Sequence, residues 1–419
     1  MRVLLSAFSC EPEKGSEREV GFRALLAAAE RHEAWVLTRA VSVPVLRRFL
    51  AGHPLSARIH VEPVPFDYDE EGFGRTQFHW NYDRWQRAAA RRAVELDRRV
   101  DFDVVHHVSL ATIWTRAGVA AVPKPLVWGP VGGGVEPPLS LMTELGLRGA
   151  LDDLFRITSR RLLARLPPMR RAPDAAVVIL AQNQEIARRL RANAPVHVLP
   201  NATAVELDGV RAMGQRNRDV VLVGRLLAWK GGHLALRALR HLSSRDTMLH
   251  VYGEGPDLRR LRHAARRWDL ADRVRFHDWV PRERLLPEIA RAGVLVHPSL
   301  HDDAPLSVAE ALSLGTPVVC LDHGGPAEVV RRWPTSPSRR IVPAGPAVTA
   351  RRIAEAIDGF LADPPPLRSA PVRPNISFAD SLLAAYEQAA RSAARPKGSP
   401  GSAPTGGGSR TEQQPGGQP

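Results

Sequence analysis

The amino-acid sequence predicts an α/β protein built from two doubly wound, Rossmann-like domains. Short apolar runs alternate with helical patterns through most of the 419 residues, the mark of repeated βα units and parallel sheets. The alternation lapses once, over the polar stretch 201–218, and then resumes. The length also allows two or three domains, each with a core of its own.

In the first series, strands are expected at 3–7, 35–38, 58–61, 104–107, 126–128, 176–180 and 196–199, with helices such as 19–31 and 77–99 between them. The second series places strands at 220–223, 248–252, 274–277, 294–297 and 317–321. The organisation read from this is an amino-terminal domain over 1–200, a linker over 201–218 and a carboxyl-terminal domain over 219–376. An amphipathic helix follows at 377–395, and the Pro-, Gly-, Ser- and Gln-rich tail 396–419 is expected to be disordered. Ligands of doubly wound sheets sit at the carboxyl ends of the strands, so the loops there hold the candidate chemistry.

Composition narrows the function classes. A hydrophobic share of 44% and a charged share of 24% are those of a globular chain. The formal net charge of +14 favours polyanionic partners. Arginine carries most of that charge and is scattered over many helices; no zinc-finger or RNP-type motif accompanies it, so an anionic membrane ranks above nucleic acid. Two cysteines, Cys10 and Cys320, lie in unrelated segments and give neither a disulfide framework nor a metal-ligand spacing. They are expected to be reduced and buried, in a cytoplasmic protein. The opening MRVLLSAFSC loosely resembles a lipoprotein signal, but its apolar stretch is short and a first strand is the better reading. No run reaches the roughly 18 apolar residues of a membrane-spanning helix. Contact with a membrane is therefore expected to be peripheral, at the inner face of the plasma membrane.

The sharpest constellation lies in the second series. A strand ending in VGR leads into LLAWKGG, which puts Arg225 and Lys230 after a strand and near the start of a helix. Two cations beside a helix N-terminus can grip a pyrophosphate, although solvated surface cations account for them equally well. Further on, VLVHPSLHDDAPLSVAEALSLGTPVV reads strand, loop, helix, strand. Asp302 in the loop can meet sugar hydroxyls, and Glu310 in the helix can accept both hydroxyls of a ribose. Pro305 suits a first helical turn, and N-capping by Asp302 or Asp303 is an equally good structural account of the acids.

In combination these motifs resemble a family. Gly224-Arg225-x4-Lys230-Gly231, the YGEGP of Tyr252 to Pro256, and HPS…D-x7-E-A…GTPVV look like the carboxyl domain of family-4 retaining glycosyltransferases of the GT-B fold, two Rossmann-like domains facing a central cleft. LLSAFSCEPEKGSEREVGF, FDVVHHVSL and PLVWGPVGGG resemble, in order, the amino half of a subgroup, so the likeness covers roughly residues 1–390. The resemblance implies transfer of a hexosyl group from a nucleoside diphosphate sugar to an acceptor hydroxyl, with retention. The sugar nucleotide is a co-substrate, and neither cofactor nor metal is required. The acceptor is a glycan, a lipid-linked molecule or a small molecule.

By that resemblance Arg225 and Lys230 stabilise the departing diphosphate, Glu310 binds the ribose, and Asp302 stands where the family has the first Glu of Glu-x7-Glu. His107, or its neighbour His106, matches the histidine at the donor sugar, and Gly15 the first-domain loop near the diphosphate or acceptor. Gly224, Gly253, Glu254, Asp303, Ala304 and Leu306 fall at further nucleotide-sugar contacts. Two departures bear on the donor sugar. Asp302 is one methylene shorter than Glu, and the glycine-rich loop after it is replaced by Asp303, Ala304 and Pro305, the last with no N–H to offer. A non-hydrolysing sugar-nucleotide epimerase and a catalytically silent binding scaffold remain open beside the transferase.

Other features have plainer readings. Asp101-Phe102-Asp103 copies an Asp-x-Asp metal motif but precedes a strand, as a turn does. Gly132 to Gly134 form a glycine run without GxGxxG spacing, which reads as a tight turn. Trp80, Tyr82 and Trp85 read as core aromatics. The arginine- and leucine-rich stretch 148–171 is the better candidate for a membrane-touching helix.

Overall fold

A computed structural model describes residues 1–12, 16–66, 75–190, 192–204, 207, 216–334, 339–344, 349–367 and 371–394. Gly15, the tail 396–419 and most of the stretch 201–218 lie outside the described residues.

Among the described residues thirteen strands form two sheets. The first contains β1 (Arg2–Ser6), β2 (Glu33–Arg39), β3 (Ile59–Val64), β4 (Val104–His107), β5 (Leu126–Val131), β6 (Ala176–Ala181) and β7 (Val196–Val198), in the order β3-β2-β1-β4-β5-β6-β7. The second contains β8 (Val220–Val223), β9 (Leu249–Tyr252), β10 (Val274–His277), β11 (Val294–His297), β12 (Val318–Leu321) and β13 (Arg339–Val342), in the order β10-β9-β8-β11-β12-β13. All pairings are parallel. The fold class is the expected one, two doubly wound Rossmann-like domains. β13 joins the five strands expected in the second sheet. Its sequence, Arg-Arg-Ile-Val, lies on the sheet edge and buries only Val342 fully, so it lacks the apolar run that marks the others.

The strand orders reverse between β1 and β4 in one sheet and between β8 and β11 in the other. Ligands of open α/β sheets bind at such a switch point. The central strands that flank these points are buried along nearly their whole length, as strands covered by helices on both faces must be.

Aromatic residues build much of the first core. Phe8 meets Tyr82 and Trp85 edge-to-face at 5.1 and 5.2 Å, beneath the long helix Arg75–Val100. Tyr82 and Trp85 are core residues as expected, but Trp80 on the same helix is exposed. It points away from the stripe that the other two share, and the core needs only one face of the helix. Among the described residues no helix is long and apolar enough to cross a membrane.

The carboxyl-terminal helix Phe378–Ala394 returns to the first domain. Leu382, Leu383, Tyr386 and Ala389 pack with Leu25, Val178 and Leu180. The Tyr386 hydroxyl lies 2.8 Å from His106 Nδ1, and His106 Nε2 lies 2.6 Å from the Gly129 carbonyl. The carbonyl can only accept, so Nε2 carries the proton and the Tyr386 hydroxyl donates to Nδ1. Burial lowers the His106 pKa from 6.5 to about 4, against the hydrogen bond to Gly129, which raises it. The unfolded chain therefore takes up this proton first, and stability falls as the pH drops from 6.5 towards about 4. Between pH 7 and pH 5 the expected loss through His106 alone is about 2 kcal/mol. Urea unfolding at both pH values should show a smaller loss in His106→Gln than in wild type. An equal loss in the two proteins would show that His106 is not the group that titrates.

Candidate functional site

The loops at the second switch point are locked together by backbone. After β8 the chain passes Gly224, a short 3-10 turn at Ala228–Lys230 and Gly231, and enters the helix Gly232–His241. Gly231 has φ +77°, and a Cβ there would stand 2.0 Å from the Pro298 carbonyl oxygen in the loop after β11. Only glycine admits both the left-handed backbone and that approach. The Trp229 carbonyl accepts the Leu300 N–H at 2.7 Å and the Ser299 hydroxyl at 3.1 Å. Gly253 repeats the device on the next strand: at φ +130°, its Cβ would meet the Gly224 carbonyl oxygen at 2.2 Å.

This clasp brings Lys230 onto Asp302. The Lys230 ammonium pairs with Asp302 Oδ2, and His297 Nε2 lies 3.0 Å from the same oxygen. Burial alone would raise the Asp302 carboxyl, but the Lys230 charge and the His297 hydrogen bond outweigh it and hold the group well below the usual carboxylate range. Arg225, earlier in the same loop, is exposed. Lys230 and Asp302 are thus each other's partners here.

Neither Asp302 nor Asp303 caps the helix Leu306–Ser313; Pro305 occupies the cap position and no side chain closes the first turn. Ala304 and Leu306 are half-buried beside it. Glu310 is buried within that helix, and Arg282 Nε donates to its Oε1 at 2.7 Å. Burial raises its pKa, and the Arg282 guanidinium acts against that rise.

Asp303 reaches the other domain. Its Oδ2 accepts the Gly133 N–H at 2.7 Å, and its carbonyl accepts from Asn183 Nδ2 at 3.0 Å. Gly133 has φ +78°, and a Cβ on Gly132 would meet Asp303 Oδ2 at 2.9 Å. The glycine run, expected as a tight turn, instead pairs with Thr112 at Gly132 and bends at Gly133, and it forms one wall of the interdomain site. Between the walls lies a cavity of about 270 Å³, lined from both domains by Thr112, Trp114, Gln182, Trp229, His301 and Asp302 among others. Trp229 stacks on His301 with ring centres 4.9 Å apart. Arg156 donates to His301 Nε2 at 2.9 Å, so the neutral ring holds its proton on Nδ1. Burial lowers the His301 pKa to about 4, opposed by Asp153 at 3.3 Å, and keeps the ring uncharged at neutral pH.

The structure separates the other sequence candidates from this cavity. His106 is bound at both nitrogens within the first core, and His107, also buried, lies 3.4 Å from the Tyr82 hydroxyl. Burial, with His106 beside it, lowers the His107 pKa to about 3. Glu254 is exposed, and its Oε1 accepts the Trp279 N–H at 3.2 Å. Asp101 pairs with Arg2 and Lys124, and Asp103 Oδ2 accepts the Arg2 N–H at 2.6 Å, at the end of β4 remote from the cleft. Trp114, Trp229, His301, Gln182 and Arg160 line the cavity without having been singled out in the sequence. Trp229 and His301 do sit inside the two motifs, each next to a residue that was.

Residues 210–373, which span the second domain, match the family model described as glycosyl transferases group 1. The 2-deoxystreptamine glucosyltransferase of Streptomyces kanamyceticus is 25% identical over 298 residues, 68% of this chain and 74% of that protein. Among solved structures, the lipopolysaccharide outer core galactosyltransferase WaaB superposes with a TM-score of 0.55 at 12% identity, covering 92% of this chain and 99% of that one. HepE of Anabaena in complex with UDP gives 0.53 at 17% identity, covering 94% and 100%. The chain has the GT-B fold, and its second domain is similar to the group 1 glycosyltransferases.

Proposed function

We propose that this protein is a glycosyltransferase that moves a hexosyl group from a nucleoside diphosphate sugar to an acceptor hydroxyl, with retention at the anomeric carbon. The observation that carries the reading is the pairing of Lys230 with Asp302 at the carboxyl edge of β8 and β11, with Arg225 earlier in the same loop, beside a cavity walled by both domains. The group 1 match over the same domain supports it.

The chemistry asks chiefly for stabilisation of a departing diphosphate. The helix Gly232–His241, whose first turn has no side-chain cap, starts at the carboxyl edge of the sheet and would receive that charge together with Arg225 from the loop before it. Lys230 completes the electrostatic clamp by exchanging Asp302 for the diphosphate, which leaves the Asp302 carboxylate to sugar hydroxyls. Preorganised charge of this kind is usually the largest single contribution to such a reaction. Glu310 sits one turn behind Leu306, where it takes the ribose after releasing Arg282. The hydrogen bond between Gly133 and Asp303 holds the domains closed over the site and limits access of water.

Calorimetry and kinetics test the clamp. Arg225→Ala and Lys230→Ala are expected to weaken nucleoside diphosphate binding about ten- to hundredfold. Asp302→Asn should keep most of that affinity yet lower turnover by about one to two decades, since it acts on the transition state. Unchanged affinity in both cation variants, or full turnover in Asp302→Asn, contradicts the assignment.

The transfer is also proposed to proceed without a metal ion, because the Asp-x-Asp sequence of Asp101 to Asp103 is tied to Arg2 and Lys124 away from the cleft. Turnover is expected to survive excess chelator, and Asp103→Ala is expected to remain active. Loss of activity under chelation that Mn²⁺ or Mg²⁺ restores would reverse this point.

A further inference from the structure

The helix Gly146–Leu163 is apolar on the wrong side for a globular protein. Leu147, Leu151, Leu154, Phe155 and Leu162 fall on one helical face, and all are exposed, Leu147 by 81% and Phe155 by 76%. Leu166, just past the helix, extends the stripe and is also exposed. The opposite face carries the polar residues inward: Asp153 is buried, Arg156 reaches His301 and Arg160 lines the cavity. Scattered exposed leucines need no explanation, but a continuous stripe of this kind marks a docking surface.

The charge around the stripe identifies what it docks on. Between residues 146 and 171 there are seven arginines and two aspartates, without a lysine or glutamate. Arg148 borders the stripe on one side and Arg161 on the other, and Arg165, Arg170 and Arg171 continue past its end, all exposed. Arg161 is partly engaged by Glu136, and Arg170 by Asp174. An apolar face with an arginine rim matches the interface of a bilayer that carries anionic headgroups, where leucine and phenylalanine enter the acyl boundary and the guanidinium groups stay at the phosphates.

We propose that this face docks the protein on an anionic lipid bilayer and thereby holds the interdomain cavity at the membrane surface. The helix is only about 10 Å thick, so a bilayer on its outer face lies close to the groups on its inner face. An acceptor hydroxyl carried on a lipid would then reach the cavity without leaving the bilayer. That last clause rests on the transferase reading; the docking itself does not.

Flotation of the full chain with vesicles, in the absence of any sugar nucleotide, tests the docking. Wild type is expected to float with vesicles of phosphatidylglycerol and phosphatidylcholine and to stay behind with phosphatidylcholine alone. Leu151→Asp combined with Phe155→Asp should reduce the bound fraction about tenfold or more. Both side chains are exposed, so the thermal midpoint should match that of wild type. Arg148→Glu with Arg165→Glu should weaken binding and remove its dependence on ionic strength. No flotation of wild type, equal flotation with both vesicle types, or unchanged flotation of the leucine–phenylalanine variant overturns the proposal. So does a wild type that elutes as a dimer and is rendered monomeric by the same variant without binding vesicles, because the occupant is then a second copy. Absence of sugar transfer leaves the flotation result standing, so failure of the transferase reading is told apart from failure of the docking.

Discussion

The contact between Gly231 and the Pro298 carbonyl organises the site. It needs a residue without a Cβ in a left-handed conformation, and it joins the two loops that leave the sheet at its switch point. The hydrogen bonds onto the Trp229 carbonyl from Leu300 and Ser299 then fix the register between them. Lys230 and Trp229 have no freedom to choose other neighbours: one falls on Asp302, the other on His301. A side chain at 231 would part the loops, and every later feature of the cavity would go with them.

Charge follows from that geometry. A carboxylate as enclosed as Asp302 is costly unless a cation meets it, and the clasp supplies Lys230 and His297 together. Glu310 meets the same demand through Arg282, and Asp153 through Arg156. Asp303 meets it in a different way, with the Gly133 N–H of the opposite domain. It gains that partner only while the domains are together, so the cost of burying one acid is offset by closure itself. Asp303 thus takes on a task that a glycine at this place, without a carboxylate, cannot perform.

Much of this was legible in the sequence, because the parallel sheet writes itself as apolar runs and the switch points follow from strand order. Arg225, Lys230, Asp302 and Glu310 were legible as residues at strand ends and in the helix that follows. Their pairing was not. Nothing local in the sequence says that Lys230 will lie on Asp302, since 72 residues separate them and the contact depends on Gly231 against Pro298. His106 illustrates the opposite failure of locality. Its strand and its neighbour suggested a place at the donor, yet Tyr386, 280 residues on, engages its ring inside the core. β13 escaped notice because an edge strand of two arginines and two aliphatics carries no periodic signal.

The helix Gly146–Leu163 shows how one element can serve two environments. A helix on a globular surface turns leucine inward and arginine outward; this one turns Asp153, Arg156 and Arg160 inward and its leucines outward. Its inner face is polar because it borders a cavity lined by polar groups, where an apolar stripe would leave His301 without the donor that Arg156 supplies. With the inner face so committed, the apolar residues can lie only outside, and their retention there costs solubility unless something covers them. The arginines at the rim make an anionic bilayer the cover that satisfies both their charge and the leucines' burial. The polar inner face and the apolar outer face are then two consequences of one arrangement, a helix whose inner side is committed to the groups that line a polar cavity.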